Sequence, residues 1–196
     1  MIRPGLCGTL LGGLVLLGGC GNMASAPETH EIFDEQTGAT ISVTEKPLVF
    51  AYSRPELAAN LRDYVSLVAA SVNRSGKTQY WLVTYVWSTV DRRDTGTVTG
   101  SEAGAMVLAA DDRRVKFPAS RVSAHEAGID RQVLAPKGFK GVPIVYRTDL
   151  PTLRFIATSR NLALLLGADD NALRYELWDD ARSELSSFVQ SLTGTP

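Results

Sequence analysis

The longest β-type stretch of this chain runs from Arg62 to Arg92, RDYVSLVAASVNRSGKTQYWLVTYVWSTVDR, with apolar residues at both odd and even positions. Val, Tyr, Trp and Thr dominate its two arms, residue types that fit a pleated, half-buried surface. The connector Asn73-Arg74-Ser75-Gly76-Lys77 supplies Asn, Ser and Gly, so the stretch predicts a β-hairpin with a short glycine-containing loop. In the second arm Trp81, Val83, Tyr85 and Trp87 share one face, while Tyr80, Leu82, Thr84, Val86 and Val90 share the other. Neither face is polar. A strand covered on one side alternates apolar with polar, whereas one covered on both does not, so the hairpin is placed centrally with later segments packed on it.

Shorter elements flank it. Thr40 to Val43 alternates weakly, and Pro47 to Tyr52 is a β-type run with its proline at the start, where a missing N–H is tolerated. Arg54 to Ala59 predicts one helical turn with proline early. Asp94 to Ser101 is rich in Thr and Gly and predicts an exposed loop, whereas Ala105–Ala110 and Arg113–Phe117 predict a hairpin turning at Asp111-Asp112. Gly128 to Leu134 predicts a further strand, and Gly141 to Arg147 another whose Pro143 favours an edge or a bulge. Asp149 caps a predicted helix from Leu150 to Ser159, with Leu150, Leu153, Ile156 and Ala157 on one face. Asn161–Leu166 and Leu173–Trp178 follow as strands. A last helix, from about Asp180 to Leu192 with Asp179 as its cap, spaces Ala181, Leu185, Phe188, Val189 and Leu192 to pack on a sheet.

The 196 residues are 44% hydrophobic with a formal charge of −1, which argues against disorder and against a nucleic-acid surface, and is enough chain for one domain with its own core. Only two cysteines occur, Cys7 and Cys20, so the chain beyond residue 20 has neither a disulfide nor a thiol nucleophile. Both lie in MIRPGLCGTLLGGLVLLGGC, where Arg3 forms a short positive region and Leu6 to Leu17 an apolar run of about a dozen residues, short of the ~20 that a transmembrane helix needs. Gly21 to Glu28 is small, polar and proline-containing, the composition of a flexible tether.

Leu17-Gly18-Gly19-Cys20 resembles the lipobox of bacterial lipoproteins. The resemblance implies cleavage before Cys20 and acylation of Cys20 as the first residue of the mature chain. Gly21 rather than Asp follows, which in a Gram-negative host implies the outer membrane. Phe33-Asp34-Glu35-Gln36-Thr37-Gly38-Ala39-Thr40, Pro47-Leu48-Val49-Phe50, Tyr80-Trp81-Leu82 and Trp87-Ser88-Thr89-Val90-Asp91 are together similar to a group of uncharacterised proteobacterial envelope lipoproteins, a likeness that covers about a third of the chain. That group implies class and location, not an activity.

Catalytic motifs are scarce. The chain contains no G-x-S-x-G, S-x-x-K or H-E-x-x-H. Its two histidines are His30, in an acidic segment (Glu28, His30, Glu31, Asp34, Glu35) read as solvated rather than metal-binding, and His125. Ser123, His125 and Glu126 form a conceivable Ser–His–acid group, but triad members are normally assembled from distant elements. The arginine pairs Arg92-Arg93 and Arg113-Arg114 neighbour Asp91, Asp94, Asp111 and Asp112 and form an anion patch only if they converge. Trp81, Tyr85 and Trp87 read first as core and, in the alternative, as a stacking surface for a glycan or protein partner.

The expectation from sequence is therefore an α+β, mainly β protein, antiparallel and sandwich-like, with a short helix and a C-terminal helix packed on the sheet. Residues 1–19 are a lipoprotein signal peptide, 20–30 a lipidated tether and 31–196 a single globular domain. Its expected function is that of a non-catalytic accessory or binding module, held to the outer membrane through the Cys20 lipid with its domain periplasmic, using no cofactor. An envelope hydrolase acting on peptidoglycan or another glycan through a carboxylate pair is the alternative, resting only on the presence of twenty-one acids.

Overall fold

The computed structural model describes residues 30–55, 60–89, 104–119, 121–167 and 172–194. Within them lie the strands β1 (His30–Asp34), β2 (Ala39–Val43), β3 (Leu48–Ser53), β4 (Arg62–Arg74), β5 (Lys77–Ser88), β6 (Met106–Ala110), β7 (Arg113–Phe117), β8 (Ile144–Thr148), β9 (Leu162–Leu166) and β10 (Leu173–Asp179). Two helices, α1 (Leu150–Thr158) and α2 (Arg182–Thr193), complete the set. Every ladder is antiparallel, and all belong to one sheet. The fold is α+β and mainly β, as the sequence predicts.

The long hairpin is the axis of the molecule. β5 pairs with β4 along its whole length, from Asp63↔Ser88 to Arg74↔Lys77. Its turn residues Ser75 and Gly76 both have positive φ (51° and 79°), the backbone that a tight hairpin of the correct twist requires. Asn73 Oδ1 accepts from Gly76 N at 3.1 Å and fixes that turn. The other edge of β4 is shared: β3 pairs with its first half and β2 with its second, so the sheet forks there. One branch ends at β1. The other continues through β10, β9 and β6 to β7, while β8 lies on the free edge of β5. This second branch curls until its ends approach, Phe117 of β7 meeting Tyr146 of β8 edge to face at 6.3 Å.

The two faces of the hairpin are both covered, as its unbroken apolar pattern requires. Inside the curl, Phe50, Val65, Leu67, Leu82, Leu108 and Leu164 pack with Leu153 and Ile156 of α1 and with Leu185, Phe188 and Val189 of α2. On the opposite face Ile41, Val68, Val72, Trp81, Val83 and Tyr85 are covered by Ala127, Ile129 and Val133.

That cover corrects one expectation. Gly128–Leu134 is not a strand but a series of turns. Two of its amides are engaged locally, Gly128 N bonding His125 O (2.9 Å) and Ile129 N bonding Ala124 O (2.8 Å), which leaves these two unavailable to a ladder. Gly128 has φ +83°, and a Cβ there would sit 3.1 Å from both Arg74 and Val72, so the segment owes its close approach to glycine.

Helix α1 begins as expected, Asp149 accepting from Thr152 N at 2.8 Å, and the hydrogen bonds to Thr152 hold the Asp149 carboxyl below its usual range. Helix α2 does not have Asp179 as its cap. Asp179 is still in β10, paired with Val49, and the helix starts two residues later from Ala181 without a side-chain cap. His30–Asp34, read as a solvated acidic segment, is an edge strand paired with β2 through a turn in which Gly38 takes φ +62°. The helical turn expected at Arg54–Ala59 falls mostly on 56–59, and the Asp94–Ser101 loop falls wholly outside the described residues.

With no cysteine after Cys20, the domain is expected to fold without redox chemistry. A fragment beginning at Glu28 should be recovered soluble from a reducing cytosol, and its melting temperature should not change on adding thiol. Aggregation of that fragment would show that residues ahead of it complete the core.

Candidate functional site

The aromatic stripe of β5 divides by depth. Trp81 is 4% exposed and Tyr85 fully buried, so these two belong to the core and offer no stacking surface. Tyr85 is held by a hydrogen bond from its hydroxyl to Val133 O at 2.7 Å and by Phe139 edge-on at 5.1 Å. Trp87, near the end of the strand, is half-buried. Its ring stacks on Tyr64 with centroids 4.4 Å apart and 15° between planes, and its Nε1 donates to Ser66 Oγ at 2.9 Å. Trp87 lines a shallow, mainly apolar groove of about 380 Å³ with Pro47, Val49, Leu134 and Pro136.

A neighbouring aromatic escaped the sequence reading. Trp178 is 57% exposed, meets Tyr64 edge-on at 6.2 Å and carries the Arg62 guanidinium over its ring at 4.7 Å. Its signal was in Leu173–Asp179: Leu173, Tyr175 and Leu177 pack on the core while Arg174, Glu176 and Trp178 are exposed, Trp178 at a register shift between Leu177 and Asp179. A tryptophan continuing the alternate positions of Arg174 and Glu176 was the visible anomaly.

The serine–histidine segment is a local turn rather than a relay. Ser123 Oγ donates to Glu126 Oε2 at 2.8 Å, and Glu126 Oε2 also accepts from Ser123 N at 2.7 Å, while Glu126 N returns to Ser123 Oγ. This is the reciprocal pattern of a capping box. The bonds from Ser123 hold the Glu126 carboxyl below its usual range. His125 turns to Asp130 instead, with its Nδ1 on the Asp130 carboxylate, and is largely exposed. Among the described residues no group of three or more His, Cys, Asp or Glu could hold a metal ion. Among the described acids of the His30 cluster, Glu31 and Glu35 are exposed while Asp34 is buried. Burial opposes its ionisation, but hydrogen bonds from Gln36 and Thr37 outweigh that and lower its pKa.

The arginines make the larger depression. Arg92-Arg93, like Cys20 and the residues around it, lies outside the described residues. Arg113 and Arg114 are instead joined by Arg160 and Arg174 around a trough of about 600 Å³, bordered also by Asp111, Asp112, Asn161 and Glu176. Asp111, with φ 51° in the β6–β7 turn, aims its carboxylate at the backbone of the next connection, accepting from Arg160 N (3.0 Å) and Asn161 N (2.9 Å). Distance in sequence concealed this: 49 residues separate Asp111 from Arg160. The groove offers the Trp87 ring for stacking, and the trough offers charge at its arginines.

Compared with family models, with curated proteins and with solved structures, the chain matched none.

Proposed function

We propose that this chain is a lipid-anchored protein of the cell envelope whose domain serves as a non-catalytic accessory or binding module at the outer membrane, on its periplasmic side. The observation that carries the anchor is Leu17-Gly18-Gly19-Cys20 at the end of an apolar run too short to span a bilayer. Two or more acyl chains attach a protein stably at ~0.8 kcal/mol per buried CH₂, so an anchor of this type makes no demand on the domain's own surface. None of the helices among the described residues is long and apolar enough to cross a membrane. The binding role is supported by the Trp87 groove and the exposed Trp178, surfaces fit for a glycan or an envelope protein.

Metabolic labelling with palmitate tests the anchor. The wild-type chain is expected to incorporate label, and Cys20→Ala to lose all of it and accumulate as precursor. Undiminished labelling of that variant would refute the proposal.

A further inference from the structure

We propose that the arginine trough is a binding site for a phosphate monoester, gripped by the guanidinium groups of Arg114 and Arg160. Its shape follows from register. Arg114 pairs with Ala109, Ala109 with Ala163 and Ala163 with Glu176, so one row across β7, β6, β9 and β10 has long side chains at its ends and two alanines between. The alanines make the floor. Floor and walls are therefore set by backbone ladders rather than by loops.

The charges do not cancel. Glu176 is paired with Arg174 at 2.7 Å, and the Asp111 carboxylate is committed to the amides of Arg160 and Asn161. Arg113 is drawn over the ring of Phe155 at 4.9 Å. Arg114 and Arg160 have no ion-pair partner among the described residues. Arg113, Arg114, Arg160 and Arg174 border the trough against Asp111, Asp112 and Glu176, which leaves it a formal charge of +1.

The backbone under Arg160 is fixed before any ligand arrives. Asp111 N donates to Asn161 O at 3.0 Å on one side. On the other, Arg182 donates to the carbonyls of Ser159 and, at 2.8 Å, of Arg160, while Asp180 holds Arg182 by its Nε at 2.8 Å. The hydrogen bonding between Asp180 and Arg182 lowers the acid's pKa and raises that of the base, so the clamp stays charged across the neutral range. Ordering costs on binding are thus confined to two side chains.

Planar guanidinium forks match the oxygens of phosphate, and a monoester offers three of them for two arginines. A trough of about 600 Å³ is much larger than one phosphate and lies in the range of small-ligand sites, so the ester's organic part rests on the apolar floor of Ala109 and Ala163. A free sugar phosphate and a lipid headgroup share this chemistry.

Calorimetry on the full chain in non-ionic detergent separates the sources, with glycerol 3-phosphate as the soluble probe and dihexanoyl phosphatidic acid as the lipid one. Binding of at least one is expected, with affinity falling tenfold or more in Arg114→Gln and in Arg160→Gln, and less in the corresponding Lys variants, which keep charge but lose the fork. Lys77→Gln, at the far hairpin turn, should bind as wild type. Binding of the phosphatidic acid alone would identify a lipid headgroup as the ligand. Heat from neither probe, an equal loss in Lys77→Gln, or full affinity in a folded Arg114→Gln/Arg160→Gln double variant would overturn the assignment. It goes beyond the envelope reading and does not rest on it, since Cys20→Ala should bind the same probes.

Discussion

Trp81→Ala is expected to destabilise the protein by about 3–5 kcal/mol, the cost of deleting a large buried aromatic from a packed core. Trp81 is 4% exposed and sits in the outer cluster with Val68, Val83 and Val145, held between β4 and β8 by ladders on both sides. A cavity there cannot be closed by moving one strand without disturbing two. Against a total stability of 5–15 kcal/mol, typical of such domains, the loss should be plain in a urea or thermal melt. The indole Nε1 is itself buried with no hydrogen-bond partner among the described residues, a burden Trp81 carries in the native state. Trp81→Phe removes that burden together with part of the ring, so its cost should fall well below that of Trp81→Ala. Trp87→Ala should also cost less, because its ring is only partly buried. A Trp81→Ala protein that melts like wild type would show that the stripe is not core.

How much of this was legible in the sequence depended on which interactions set each element. The β4–β5 hairpin, β6–β7 and α1 could be read directly because their determinants are local: alternation, a two-residue turn and a cap three residues from its target. Gly128–Leu134 was misread because a β-type run of side chains was outweighed by amides already bonded within the turn and by a glycine placed against Arg74. Asp179 was misread as a cap because its pairing partner, Val49, lies far back in the chain. The same distance hid the trough. Arg113-Arg114 stands out in the sequence, but the partners that give it depth, Arg160 and Arg174, are brought alongside only by the order β7-β6-β9-β10. Sequence shows which residues carry charge, and here the ladder order decides which of those charges meet.

Raising the pH should unfold the protein in a window that two tyrosines define. Burial pushes the phenols of Tyr85 and Tyr146 up from an ordinary value near 10 to about 12. Ionisation would also break what each hydroxyl donates, the bond of Tyr85 to Val133 O at 2.7 Å and of Tyr146 to Gly104 O at 3.1 Å, since a phenolate has no proton to give. A folded-state pKa above the unfolded one means that the unfolded chain loses its protons first. The stability these groups hold is therefore complete below about pH 10 and drains away as pH rises toward about 12. At roughly 1.4 kcal/mol per pH unit of displacement, each tyrosine accounts for on the order of 3 kcal/mol, and the two together for a large part of the stability of an ordinary domain. Urea midpoints taken through this range should fall steeply for the wild type, and the phenolate absorbance it gains over Tyr85→Phe/Tyr146→Phe should rise in step with unfolding rather than ahead of it. Tyr85→Phe/Tyr146→Phe starts lower, by roughly 1 kcal/mol for each lost hydrogen bond. It should then decline less, and the difference between the two curves removes the background from surface lysines. Parallel curves for the two proteins, or phenolate absorbance that rises fully before the fold is lost, would mean that these hydroxyls are not buried as the structure places them.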